Sequence, residues 1–305
     1  MAAGLHISIS AERLLTLGGL NITNSMFTSV LVSLLLISFA IITKFKLKNV
    51  SKPTVIQNFA EMIVEALHGL VHGVTGDLKR TRLFFPFIST FFLVIILNNW
   101  LGLIPGVGTI KLLVNEEAAK VEEVSQTEKA SDHSNVLVDS VQASEAVATE
   151  EAITLETEEA TQEETPSEHS GPVAVPIFRP GTADINTTIS LALISIIVTQ
   201  IFGVKYLKFG YFKKFINFSS PIMFFVGILE LISEFAKIIS FAFRLFGNIF
   251  AGEVLLVVMA FLFPVILPMP FYGLELFVGF IQALVFSMLT LVFLSVSISS
   301  HNNSH

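Results

Sequence analysis

Phe243-Arg244-Leu245-Phe246-Gly247-Asn248-Ile249-Phe250-Ala251-Gly252-Glu253 sets an arginine inside an almost uninterrupted apolar run from Pro221 to Leu267. On insertion scales a charge at the centre of such a run costs ~2.5–3.5 kcal/mol. Arginine cannot relieve that cost by losing its proton, since its pKa stays above ~12, so it acts as a fixed cation. An arginine near a helix end can snorkel to the interface, but Arg244 lies far from either end of the run. Its position predicts a permanent positive charge facing a cavity inside the protein.

Composition agrees with an all-α integral membrane protein. Of the 305 residues 52% are hydrophobic, and the mean hydropathy of +0.74 holds despite a long polar insert. The absence of cysteine removes a disulfide framework, a thiolate metal site and a cysteine nucleophile from consideration. The net charge of −7 conceals a division. Sixteen of the twenty-five acids and two of the eighteen bases fall between Asn115 and Ser170, leaving −14 there and +7 elsewhere. Most acids outside the insert, including Glu230, Glu234, Glu253 and Glu275, sit in or beside apolar stretches.

Residues 1–24 are short, mixed and weakly polar, with no basic, apolar and small-residue sequence of a cleaved signal peptide. Met26 to Thr43 is free of charge and long enough to cross. Lys44, Lys46, Lys48 and Lys52 follow, so this end faces the cytoplasm and the N-terminus lies outside. Residues 53–74 read as an interfacial amphipathic helix opened by Pro53, with a polar stripe of Glu61, Glu65, His68 and His72 and an apolar side of Phe59, Ile63, Leu67, Leu70 and Val74. Glu65 and His68 could share a metal, but a di-metal bundle needs a second such pair and two further glutamates on other helices, so no metal is expected. Lys79, Arg80 and Arg82 precede a second span, Leu83 to Leu101, near whose outer end Asn98 and Asn99 either line an aqueous path or bond to neighbours and headgroup water.

From about Leu112 to Val175 the composition turns to Glu, Ala, Ser, Thr and Val without an aromatic residue, which is expected to be disordered or transiently helical and to act as a solvated external spacer. Order resumes at Ile177-Phe178-Arg179-Pro180-Gly181-Thr182-Ala183-Asp184, where Pro and Gly make a turn and Asp184 caps a span running to about residue 204. Lys205, Lys208, Lys213 and Lys214 mark its cytoplasmic end. Residues 219–267 would measure about 70 Å as helix against a ~30 Å core. Because Glu230, Glu234, Lys237 and Arg244 leave no apolar stretch of spanning length before the arginine, a strongly tilted helix is expected rather than a hairpin within it. A turn from Pro264 to Gly273 leads into a last helix, 271–299, and a cytoplasmic C-terminus. Three regions follow: an N-terminal membrane region, residues 1–111 (span 26–43, interfacial helix 53–74, span 83–101), the acidic insert, residues 112–175, and an ion-channel region, residues 176–305 (span 185–204, tilted helices 219–267 and 271–299).

Spacing then brings chemistry together. Asn248, four residues after Arg244, shares its face and can hydrogen-bond near the guanidinium. Glu253 is about half a turn round and some 13 Å further outward, and Glu275 lies two turns before Gln282 on nearly one face. Two carboxylates thus lie outward of a central Arg and Gln, which suits a proton path. Inward of the arginine, Glu230, Glu234 and Ser240 could line a second path.

FRLFGNIFAGE, TADINTT and FIQALVFSMLTLVFLS resemble subunit a of the F-type rotary ATP synthases, over the whole chain apart from the insert. The resemblance implies a stator subunit with two offset aqueous half-channels facing a ring of c subunits. Arg244 would be the essential arginine, Asn248 its neighbour, Glu253 with Glu275 the outer pair and Gln282 the late glutamine; Glu230 and Ser240 match inner-side positions. It further implies b-type peripheral stalk subunits and the soluble F1 head as partners, a multi-pass place in the lipid bilayer of a bacterial inner membrane, no catalysis by the chain itself, no cofactor and no nucleic acid. A secondary ion transporter or unrelated proton channel is the alternative, but no two-fold repeat of the transporter kind is present. An intramembrane hydrolase would need a nucleophile with its base, or a metal pair, within the spans, and neither constellation is there.

Overall fold

Without water to satisfy backbone amides, apolar runs of spanning length must form helix. A computed structural model of the chain describes residues 11–17, 20–46, 54–104, 111–114, 173–208, 211, 221–263 and 266–299. In order these form β1 (Arg13–Leu17), β2 (Leu20–Thr23), α1 (Asn24–Lys46), α2 (Val55–Thr75), α3 (Leu78–Gly102), β3 (Lys111–Val114), β4 (Val173–Pro176), a 3₁₀ turn (Gly181–Ala183), α4 (Ile185–Leu207), α5 (Pro221–Leu262) and α6 (Pro268–Ser299). Five of the described helices, α1, α3, α4, α5 and α6, are long and apolar enough to cross a membrane. Residues 1–111 and 176–305 make one compact unit and 112–175 another. Lys48, Lys52, Pro53, Lys213, Lys214, Pro264 and the body of the acidic insert lie outside the described residues.

α6 occupies the centre of the larger unit. Phe286 meets Phe91 of α3 at 5.7 Å between ring centroids and Phe241 of α5 at 5.0 Å. This core joins Ile95 and Phe92 of α3, Ala192 of α4, Ala242 and Leu245 of α5 and Leu67 of α2. A second cluster continues along the same helices through Val71, Phe84, Ile88, Phe202, Leu291 and Leu294. The two long helices are out of proportion to a bilayer. At ~1.5 Å per residue α5 is about 63 Å long and α6 about 48 Å, so a crossing requires tilt against a ~30 Å core.

Element ends move from the sequence expectation for local reasons. α3 starts at Leu78, not 83, because the Asp77 carboxylate accepts from the Lys79 amide at 3.1 Å and draws the basic residues into the first turns. α6 starts at Pro268, not 271, since prolines in a first turn lack only an N–H that has no partner there. The turn therefore lies between Leu262 and Pro268 rather than reaching Gly273. α2 opens after Pro53, with Thr54 as the cap. Its faces also differ. Leu67 and Val71 are buried with Gln57 and Ala60, but Phe59, Leu70 and Val74 stay exposed, so the apolar residues divide between the protein and the outside. Of the polar stripe, Glu61 and Glu65 are exposed, whereas His68 packs 5.6 Å from Phe85 and His72 Nδ1 lies 3.2 Å from Thr81 Oγ1. Packing against α3, not period alone, selects which side is buried. The β1–β2 hairpin, registered Arg13↔Thr23 to Leu17↔Leu20, was not expected; Gly18-Gly19 between two Leu-containing strands is the signal for it.

Candidate ion-translocation site at the α5–α6 crossing

Gly227, Phe241, Ala242, Leu245, Ile249 and Gly252 are the buried residues of α5, and the run from 241 onward recurs at helical spacing. That packing turns Phe243, Arg244 and Asn248 to the exposed side. The guanidinium thus faces away from the chain's own core. Asn248 does not serve the guanidinium as expected. Its Nδ2 donates to Gln282 Oε1 at 2.8 Å and ties α5 to α6. Gln282 is buried, and its Nε2 has no hydrogen-bond partner among the described residues.

Glu275 lies on the same buried face of α6 as Gln282, along with Gly279, Ala283 and Phe286. Its carboxylate sits against Gly252, where a Cβ would overlap it. A glycine is needed on α5 for this acid to fit between the helices. Glu253, one residue on, turns the other way and pairs with Arg179, whose Nε donates to Oε2 at 3.2 Å. Arg179 was not picked out from sequence. The available signal was a charge between Phe178 and Pro180 just ahead of a span.

Arg179 is held by a hydrogen-bonded plug at this end of the bundle. Its amide donates to Thr28 Oγ1 at 3.4 Å. Pro180 packs on Gly102, and Gly181 on Ser29 and Asn98, approaches that no side chain at either glycine would permit. Thr182 donates to Asn99 Oδ1, whose Nδ2 donates to the Gly279 carbonyl at 3.2 Å. Asn98 donates to the Val94 carbonyl at 2.8 Å and accepts from Ser29 at 3.1 Å. Of the two readings of the asparagines, bonding to neighbours is the one observed. Asp184 caps α4 through the Asn186 amide at 3.0 Å and accepts from Ser25 Oγ at 2.7 Å.

On the other side of Arg244, Glu230 and Glu234 are partly buried one turn apart, while Ser240 is exposed on the arginine's side. Lys237 Nζ pairs with Glu234 at 2.9 Å and lies 4.9 Å from the Phe293 ring centroid. The Tyr211 hydroxyl donates to Gln200 Oε1. Burial first, then the charges of Glu234 and Glu230, push the Tyr211 phenol up to about 12, so it keeps its proton.

Spanning helices, a fixed cation and polar groups at depth on both sides of it define a multi-pass membrane protein built to pass ions. The family model described as "ATP synthase A chain" matches residues 26–295. The ATP synthase subunit a of Gloeobacter violaceus is 31% identical over 281 residues, 92% of this chain and 86% of that one. The chain belongs to the ATP synthase A chain family, the proton-translocating stator subunits of rotary ATP synthases.

Proposed function

We propose that the chain carries two polar half-paths that meet at Arg244, and that protons cross between them only on the carboxylates of a c-subunit ring turning past the exposed side of α5. The observation that carries this reading is the Asn248–Gln282 bond at 2.8 Å, which ties the long helices together one turn from Arg244. Glu253 and Glu275 line the outer path, and Glu230 and Ser240 the inner one. Arg244 favours the ionised ring carboxylate as it passes and repels a proton moving straight between the paths. Each charge falling through 100 mV releases ~2.3 kcal/mol, so several must pass to make one ATP in the F1 head. The chain itself performs no catalysis. It sits in a bacterial inner membrane with its N-terminus outside and its C-terminus cytoplasmic, held by b-type stalk subunits.

ATP-driven proton uptake and ATP synthesis in vesicles holding the assembled complex test the reading. Arg244→Ala should abolish both while passive leak stays level or rises. Arg244→Lys should fail in coupling as well, because an ammonium lacks the planar, weakly hydrated fork. Synthesis near the wild-type rate in the alanine variant would defeat the proposal.

A further inference from the structure

A carboxylate that neither long helix supplies stands near Glu253. Glu12, just ahead of β1, faces it from the N-terminal segment, and Arg179 is the cation on its other side. One turn of α1 supports both neighbours. The Asn24 amide donates to the Glu12 carbonyl at 3.0 Å, and Asn24 Nδ2 donates to the Pro176 carbonyl at 3.3 Å. Four residues on, Thr28 Oγ1 donates to the Asn24 carbonyl at 3.0 Å and accepts from the Arg179 amide at 3.4 Å. Asn24 and Thr28 are fully buried, so the backbones of Glu12 and Arg179 share a fixed mount. The β1–β2 hairpin, pairing Arg13 with Thr23, returns the chain from Glu12 to that mount. The Glu12 carboxylate itself has two aspects. Its Oε2 is shut off from solvent with no hydrogen-bond partner among the described residues, yet the residue as a whole is partly exposed. An acid kept for structure alone would have its buried oxygen bonded to a donor. Glu12, Glu253 and Arg179 together carry one net negative charge, which a single proton arriving from outside neutralises.

We propose that Glu12 is the outermost carboxylate of the outer path and passes protons between external water and Glu253. This rests on the reading that Glu253, whose side chain is 31% exposed, lines that path. In the direction of synthesis Glu12 takes a proton from water and gives it up as Glu253 gains one; in ATP-driven pumping the order reverses. The N-terminal hairpin thereby has a part in transport, because its return to Asn24 is what holds Glu12 at the mouth.

ATP-driven proton uptake by the assembled complex in vesicles, normalised to complex present, is the measurement. Glu12→Gln should lower it by about five-fold, short of a block because water reaches this end of the path. If the two acids act in series, Glu12→Gln/Glu253→Gln should stay within about two-fold of Glu253→Gln alone. Chemical rescue separates a proton carrier from a mere filler of space. The chain has no cysteine, so Glu12→Cys gives it a single thiol. The purified Glu12→Cys complex is alkylated with iodoacetate, which leaves a carboxylate at position 12, or with iodoacetamide, which leaves a neutral amide of the same size. The adduct is confirmed by mass, and wild-type complex treated alike corrects for thiols on other subunits. Iodoacetate should bring uptake back to within about two-fold of wild type, and iodoacetamide should leave it low. Wild-type uptake in Glu12→Gln, or equal responses to the two reagents, would overturn the proposal. Wild-type uptake in Glu253→Gln would instead remove Glu253 from the path and sink the underlying reading.

Discussion

Two glycines with equally crowded surroundings should respond in opposite ways to one added methyl. A Cβ at 252 meets the end of the flexible Glu275 side chain, whereas a Cβ at 102 meets the ring of Pro180. Gly252→Ala should therefore leave assembly intact and slow proton uptake, as Glu275 is pushed off its position. Gly102→Ala should lower the stability of the complex by about 1–3 kcal/mol, since a proline ring in a packed plug cannot swing aside. Thermal unfolding and uptake on the same preparations separate the two. The groups around this site were unevenly legible in sequence. A charge in an apolar run exposed Arg244, and helical period placed Glu275 and Gln282 on one face. Arg179 escaped because its partner is 74 residues away, and no local period connects a turn to a helix at that distance. Asn248 was put on the correct helix face, but an amide can bond in several directions, and its choice of Gln282 depends on how α5 and α6 cross.

Among the elements, α4 shows a local rule and a tertiary bond acting through one side chain. Asp184 caps the helix and also receives Ser25 from the start of α1. Asp184→Ala should cost more than the ~0.5–2 kcal/mol of an ordinary cap, because Ser25 Oγ is left buried without that acceptor. Ser25→Ala should cost less, as the cap survives. The midpoint of thermal unfolding for the two variants checks the order. This cap was readable in advance, as were the five spans, since each follows from residue type and run length. The starts of α3 and α6 were not, because a basic cluster and a pair of prolines each suggested an interruption that the helices absorb. The buried side of α2 was likewise hidden, since its apolar residues meet the rest of the chain on one flank and are exposed on the other.

For the molecule as a whole, the two ends of the acidic insert carry strands that pair with each other, β3 at its start and β4 at its close. Deleting residues 116–170 and joining the ends with a short turn should leave ATP-driven uptake within about two-fold of wild type, because changing loop length alters closure entropy only slowly. A loss of uptake with normal assembly would show that the segment contributes to transport. Paired strands at both ends mean that the chain leaves and re-enters at nearly one point. The stem is thus a socket: a foreign domain whose own termini lie close together can be grafted there, giving the motor's stator a handle for a fluorophore or a surface tether.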